Sequence, residues 1–169
     1  MNIFETERLY IRRFTEADRE ACYRLNSDPD VMRYIREPLS RERSAKFLLE
    51  NIAIYSKFSE YGRWALMAKE DDSFLGSFML KHSDSLNAIE MGYALFPEFW
   101  GMGYATEAVQ GGLDYAFGTI RLKSVMALTF PGNEASQKVL LKNGFRFVQE
   151  FWDEGNLLHL FQIDNPNEF

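Results

Sequence analysis

The sequence predicts a mixed α/β fold, with a largely antiparallel central sheet flanked by helices. Apolar residues alternate with a period of two in several short runs, and other runs carry them at the spacing of amphipathic helices. Strand-like runs stand on both sides of the helical ones, an order that favours helices packed on a mixed sheet. The 169 residues, of which 46% are apolar, suit a single domain over residues 1–169.

The first third of the chain predicts one strand and three helices. Residues 8–14 alternate between apolar and polar side chains, as in a half-buried strand. Thr15–Asp18 resembles a capping box for a helix that runs to about Asn26. Asp28-Pro29 suits the cap and first position of a short second helix. A long third helix is predicted from a Ser40 cap to a Gly62 stop.

The remaining elements follow from the same patterns and from turn residues between them. Helices are predicted over residues 105–117 and 134–142, and strands over residues 63–69, 74–81, 88–96, 122–129, 145–152 and 157–163. Pro97 has no N–H to donate, so strand pairing should stop there.

Composition and charge narrow the classes of function. A net charge of −6 argues against nucleic-acid binding and would attract cationic partners such as amines. The single cysteine, Cys22, fits a reducing cytoplasm. No apolar run reaches the roughly 20 residues of a membrane span, and the start lacks a signal-peptide pattern. We expect a cytoplasmic protein without membrane contact, and two histidines with one cysteine predict no metal site.

The most informative stretch is the glycine-containing turn Gly101–Thr106, between a predicted strand and a predicted helix. The first N–H groups of a helix lack partners, and the helix dipole adds positive potential there. Glycine lets this backbone approach a ligand closely. The turn therefore suits a pyrophosphate, with a tight connection that binds no ligand as the alternative.

Coenzyme A fits this turn better than a nucleotide. No lysine lies in or beside the turn, as a P-loop would require. A dinucleotide fingerprint would need glycine or alanine at Thr106 and an acidic residue about 20 positions on, where Arg121–Val125 carries none.

The segment Trp100–Ala105 resembles the Gln/Arg-x-x-Gly-x-Gly/Ala signature of the GNAT acetyltransferase superfamily, and more narrowly its RimJ/RimL-like branch. Residues 5–14 and 28–34 resemble that branch's first strand and helix pair. Asn133–Ser136, followed by Lys142–Phe145, resembles its second coenzyme-binding segment. The resemblance covers nearly the whole chain.

This resemblance implies an acetyl-CoA-dependent N-acetyltransferase. The acceptor would be a primary amine, on a protein N-terminus or a small molecule, that attacks the thioester directly in a ternary complex. A coenzyme-A-binding regulator without turnover is the alternative, and dimers are frequent in the family. The implied coenzyme site comprises Leu95, Phe96, Trp100, Gly101, Met102, Gly103, Tyr104, Ala105, Thr106, Asn133 and Ser136.

Acetyl transfer to an amine needs a base, and Glu90 is our candidate. It lies on the predicted strand that leads to the turn, where the superfamily often carries a catalytic glutamate. A solvent-facing Glu90 is the alternative. Glu107 and Glu50 are the other carboxylates considered, although Glu107 in the first turn of a helix has a structural reason to be acidic.

The leaving thiolate benefits from a hydroxyl donor. Leu140 stands where many superfamily members carry a tyrosine acid, and Ser136 matches a serine that takes this role in the RimJ/RimL-like branch. A serine in the first turn of a helix can also simply bond its own backbone. Asn133 would cap this helix and bond the pantetheine amide.

Overall fold

Eight strands form one sheet in the computed structural model, which describes residues 1–168. The strands are β1 Asn2–Glu5, β2 Leu9–Arg12, β3 Gly62–Ala68, β4 Phe74–Ser83, β5 Ala88–Leu95, β6 Ser124–Thr129, β7 Arg146–Asp153 and β8 Asn156–Asp164. The helices are α1 Arg19–Ser27, α2 Pro29–Met32, α3 Arg41–Ile54, α4 Tyr104–Asp114 and α5 Glu134–Lys142. The mixed α/β class predicted from the sequence is confirmed.

The sheet order is β1-β2-β3-β4-β5-β6-β8-β7, and every neighbouring pair is antiparallel except β5 and β6. These two parallel strands are paired at one position only, Glu90 with Met126. Beyond it β5 continues to Leu95 without a ladder to β6. The sheet therefore opens between its fifth and sixth strands, β5 and β6.

Buried side chains cover both faces of the sheet. On one face, residues such as Trp64, Phe78 and Met91 pack with Val109 of α4 and Leu140 of α5. On the other face, two smaller clusters join the sheet to the helices α1 to α3. Opposite positions on paired strands share a face, so the register settles on which side a charged side chain of β3, β4 or β5 lies.

Helix α4 packs close to the sheet at two glycines. A Cβ added to Gly112 would lie 2.3 Å from Phe78 Cζ, and one added to Gly111 would lie 2.4 Å from Thr6 Cγ2. The absence of side chains at these two positions lets the second half of α4 pack closely against the first hairpin and the centre of the sheet. No helix among residues 1–168 has the length and apolar content required to cross a bilayer.

The structure differs from the sequence prediction at several boundaries. The short strand β1 was not predicted, because four residues carry too little periodicity. The third predicted helix ends at Ile54 rather than near Gly62, since Tyr55 turns inward to bond Phe14 N and Arg63 O. Helix α4 gives way after Asp114 to one wider π-helical turn over Tyr115–Thr119.

Candidate active site

Two adjoining cavities lie where β5 parts from β6. The turn-side cavity has a volume of about 580 Å³ and is lined by the end of β5, the turn before α4 and the start of α5. The charged cavity has a volume of about 300 Å³ and is lined by residues of β3, β4 and β5 among others. The residues that line both cavities are Tyr34, Ile35, Tyr93, Asn133 and Ser136.

The turn before α4 presents a row of available backbone donors. Gly101 and Gly103 have φ values of 72° and 81°, and Gly103 is the N-cap of α4. Side chains rarely adopt this left-handed conformation, so glycine is required for the shape of the turn. Within residues 1–168, the N–H groups of Gly101 to Thr106 donate to no other residue. Such a row at a helix N-terminus suits an anion.

The first hairpin holds this turn in place through Glu107. Glu107 Oε1 accepts from Thr6 Oγ1 at 2.6 Å and from Arg8 N at 2.7 Å, while Oε2 accepts from Arg8 Nε at 2.6 Å. Arg8 Nη1 also donates to Met102 O at 2.9 Å. Burial opposes ionisation of Glu107, but these hydrogen bonds outweigh it and lower its pKa. This arrangement favours a structural role for Glu107 over that of a base.

The indole of Trp100 binds the last backbone carbonyl of β5. Trp100 Nε1 donates to Leu95 O at 2.9 Å, and the Trp100 side chain is half exposed at the cavity. Of the predicted coenzyme-binding residues, Leu95, Trp100, Gly101, Gly103, Tyr104, Ala105, Thr106, Asn133 and Ser136 line the turn-side cavity. Phe96 is instead buried in the core beside α1 and α2, and Met102 is exposed beside the cavity.

A pair of hydroxyl groups lies where the two cavities meet. Tyr93 donates a long hydrogen bond of 3.4 Å to Ser136 Oγ, and Asn133 Oδ1 accepts from Ser136 N at 3.3 Å. Burial raises the pKa of Tyr93, and the bond with Ser136 opposes that rise. Asn133 thus caps α5 as predicted and orients Ser136 toward the boundary of the cavities.

Glu90 lines the charged cavity, not the turn-side one. It lies opposite Lys81 in the sheet and is partly buried. Burial raises the pKa of Glu90, the charges of Lys81 and Arg63 lower it, and Asp153 adds to the rise. Glu50 lies on the exposed side of α3 in an ion pair with Lys46 and lines neither cavity.

The basic residues of the charged cavity were not predicted from the sequence. Arg36, Arg63 and Lys81 line it together with Glu90 and Asp153. One signal was available: Arg63 is the charged residue in the otherwise apolar run of β3. Arg36 and Arg63 come together only in the tertiary structure, so residue spacing in the sequence could not predict it. In residues 1–168 no cluster of three His, Cys, Asp or Glu side chains suited to a metal ion is found.

The turn-side cavity fits the chemistry of coenzyme A. The free N–H groups of the turn suit a pyrophosphate, and a Cβ added to Gly101 would meet no atom within 4 Å, so the space in front of the turn is open. The unpaired edge of β5 offers backbone groups to an extended amide chain, in the manner of an added strand.

The chain is similar in sequence to known acetyltransferases. The sequence profile of the acetyltransferase (GNAT) domain matches residues 8–146. The uncharacterized N-acetyltransferase p20 of Bacillus licheniformis is 32% identical over 152 residues, which are 89% of this chain and 84% of p20. The uncharacterized N-acetyltransferase YoaA of Bacillus subtilis is 30% identical over 146 residues, which are 85% of this chain and 82% of YoaA.

Solved structures share the whole fold. A GNAT-family acetyltransferase from Bacillus anthracis has a TM-score of 0.84 at 25% identity, over 96% of this chain and 98% of that one. RimL, a ribosomal L7/L12 alpha-N-protein acetyltransferase in complex with coenzyme A, has a TM-score of 0.82 at 16% identity, over 99% and 100% of the two chains. The chain belongs to the GNAT acetyltransferase family and is an N-acetyltransferase.

Proposed function

We propose that this enzyme transfers an acetyl group from acetyl-CoA directly to a primary amine while both substrates are bound. Glu90 takes the proton of the amine, and Ser136 serves the leaving thiol. The observation that carries the proposal is the meeting of the two cavities at Tyr93 and Ser136. One cavity offers backbone N–H groups, and the other offers a partly buried carboxylate.

The turn-side cavity would hold the coenzyme. The N–H groups of Gly101 to Thr106 face the pyrophosphate, and Asn133 has side-chain donors for a pantetheine amide. Acetyl-CoA, as co-substrate, supplies an acetyl thioester to the boundary of the cavities. The Glu107 bridge to Arg8 keeps the turn ready before the coenzyme arrives.

Glu90 acts on the acceptor. An amine reaches the enzyme mostly as the ammonium form, whose proton must leave before the nitrogen can attack. Burial raises the pKa of Glu90 from its ordinary range toward that of an amine, which makes the carboxylate a better base. The amine nitrogen then bonds to the acetyl carbon as the carbon–sulfur bond breaks. The first proton of the ammonium stays on Glu90 or an intervening water, and the second leaves the nitrogen after attack and passes to the sulfur, which departs as the thiol.

Ser136 acts on the sulfur. Tyr93 donates its hydrogen to Ser136 Oγ, which leaves the hydrogen of Ser136 free to point to another acceptor. The leaving group is a thiolate whose conjugate thiol has an ordinary pKa of about 8.5. It leaves more readily when it accepts such a hydrogen bond. Burial raises the pKa of Tyr93, so the phenol keeps its proton at neutral pH and remains a donor.

The direct test is thiol release from acetyl-CoA with a mixed panel of amines, followed by mass spectrometry of the acceptor. An acetylated primary amine and free coenzyme A in equal amounts are expected. A ternary mechanism gives intersecting double-reciprocal lines, whereas an acetyl-enzyme gives parallel ones. Tight acetyl-CoA binding without thiol release from any amine would instead indicate a regulatory protein.

A further inference from the structure

The charged cavity holds five ionisable side chains that do not neutralise one another. Arg36, Arg63, Lys81, Glu90 and Asp153 all line its volume of about 300 Å³. Within residues 1–168, none of the five forms an ion pair within 4.0 Å. Charges of both signs held apart at one cavity suit a ligand that itself carries both signs.

Two of the three cations gather around one ring. The guanidinium carbons of Arg36 and Arg63 lie 4.6 Å and 5.4 Å from the centroid of Phe47. Burial and then the charge of Arg36 lower the pKa of Arg63 to about 10, although Glu90 opposes the shift. Two like charges held together at a partly buried position repel, and an anion between them would relieve the repulsion.

Hydrogen-bonding groups in the same cavity lack partners. Arg36 Nε and Thr129 Oγ1 are buried and have no partner in the described part of the chain, and Thr129 is only 5% exposed. Arg36 Nη2 donates to Asn26 Oδ1, whereas the guanidinium of Arg63 has, among residues 1–168, only the sulfur of Met79 as a hydrogen-bond acceptor, at 3.1 Å. Buried donors without partners are costly and mark places where a ligand completes the bonding.

The register explains how cations and a base share one side of the sheet. Arg63 lies opposite Met79, which lies opposite Gly92, while Lys81 lies opposite Glu90. These positions share one face of the sheet, and Tyr93 projects from the other. An acceptor bound on the Arg63 face would therefore reach the thioester sulfur, which in the proposed function lies on the Tyr93 face, through the opening between β5 and β6.

We propose that the acceptor is a small amine that carries a carboxylate, with an amino acid as the simplest example. This inference rests on the proposed function. The carboxylate binds Arg36 and Arg63, whose planar guanidinium groups match its geometry, and the amine faces Glu90. A polyamine would bring a second cation toward Arg36, Arg63 and Lys81, which disfavours that class.

The first experiment compares matched acceptors in the thiol-release assay. Free α- and ω-amino acids are tested against their carboxamides, alongside 1,4-diaminobutane, spermidine and a peptide with an acidic N-terminal residue. The acids should exceed their amides in kcat/KM by about ten- to a hundredfold, the effect of losing a charged hydrogen bond. Equal rates for acids and amides, or a preference for polyamines or for the peptide, would overturn the inference and leave the acetyltransferase function intact.

The second experiment changes the two arginines. Arg36→Gln and Arg63→Gln should each raise KM for the best acid about ten- to a hundredfold, while KM for acetyl-CoA stays constant and shows an intact fold. Arg63→Lys should restore part of the affinity. Arg43→Gln is the control, since Arg43 is exposed on α3 and lines neither cavity. An unchanged KM for the acid in both glutamine variants contradicts the inference.

The third experiment does not depend on turnover. Calorimetry measures binding of the N-acetyl amino acids, which carry the carboxylate but no amine, to wild type and to Arg63→Gln. Binding to wild type that weakens at least tenfold in the variant supports the carboxylate site even if no amine is acetylated. If no amine is acetylated although the N-acetyl amino acid binds, the proposed function is wrong and the carboxylate site remains supported. Absence of binding to wild type counts against the carboxylate site.

Discussion

The hydroxyl groups of Tyr93 and Ser136 lie 3.4 Å apart at the boundary between the turn-side cavity and the charged cavity. The first comes from β5 and the second from the first turn of α5, which is 43 residues further along the chain. Leu140 is buried, so the position where many superfamily members carry a tyrosine acid contributes to the core. Tyr93 brings a phenol to the site from a different element.

Removal of the Ser136 hydroxyl should slow turnover without weakening coenzyme binding. We expect Ser136→Ala to lower kcat by roughly ten- to a thousandfold, measured by thiol release at saturating substrates. Tyr93→Phe should have a smaller effect, because it removes the donor to Ser136 and leaves the serine in place. If Tyr93→Phe lowers kcat more than Ser136→Ala, the phenol itself is the hydrogen-bond donor to the leaving thiolate. Less than a twofold loss in both variants would assign the proton to water.

Glu90→Gln should abolish the base and keep the size of the side chain. The expected loss is about 10²–10⁴ in rate at neutral pH, since glutamine cannot accept the proton of the amine. In wild type, kcat/KM should rise with pH above the ordinary pKa of a glutamate, because burial raises the pKa of Glu90. This rise of kcat/KM with pH should disappear in the variant. Activity should instead return as the amine itself loses its proton, from about pH 8 for an α-amino group.

The same substitution makes a separate prediction for stability. A raised folded-state pKa means that ionised Glu90 destabilises the fold above the unfolded pKa, and this penalty is complete above the folded pKa. Glu90→Gln should therefore increase the free energy of unfolding at pH 7 and leave it nearly unchanged at pH 3. Urea denaturation at the two pH values measures both. A destabilised variant at pH 7 would mean that the charges of Lys81 and Arg63 outweigh burial.

Local patterns predicted the parts of this site that local chemistry determines. Asn133 accepts from Ser136 N as a cap, Asp28 Oδ1 accepts from Asp30 N, and Ser40 Oγ accepts from Arg43 N. Each cap and its partner lie within three residues, so the residue types reveal them. The turn before α4 could be predicted for a similar reason. Glycine favours positive φ values, and Gly101 and Gly103 both adopt them.

The charged cavity could not be predicted in this way. Arg36 follows α2, Arg63 lies in β3, Glu90 lies in β5 and Asp153 ends β7, so only the folded sheet brings them together. Likewise the side of Glu90 depends on its register opposite Lys81, which residue spacing within β5 does not fix.

Glu107→Gln should destabilise the protein and preserve the chemistry. The folded-state pKa of Glu107 is lowered because the bonds from Thr6 and Arg8 outweigh burial, so its contribution is present at neutral pH and is lost as pH falls through that pKa. We expect a loss of about 1–3 kcal/mol in unfolding free energy at pH 7, and a loss that shrinks as the pH falls through the lowered pKa of Glu107. Glu50→Gln is the control, since an exposed pair contributes about 0–1 kcal/mol. A kcat near wild type would exclude Glu107 as the base, whereas a hundredfold loss would restore it as a candidate.

Gly103→Val tests the backbone cradle for the coenzyme. Gly103 has a φ of 81°, and a Cβ there would lie 3.3 Å from Arg8 Nη2, so valine both strains the turn and crowds its anchor. Acetyl-CoA affinity should fall by several kcal/mol, on the order of a hundredfold or more in Kd, as measured by calorimetry. Strain alone could lower affinity through unfolding, and Gly155→Val controls for it: Gly155 has a φ of 80°, with no neighbour within 4 Å, in the turn between β7 and β8. The control should lose similar stability and keep its acetyl-CoA affinity, because only the turn before α4 presents its N–H groups to the ligand. Equal affinity in the two folded variants would remove the turn from coenzyme binding.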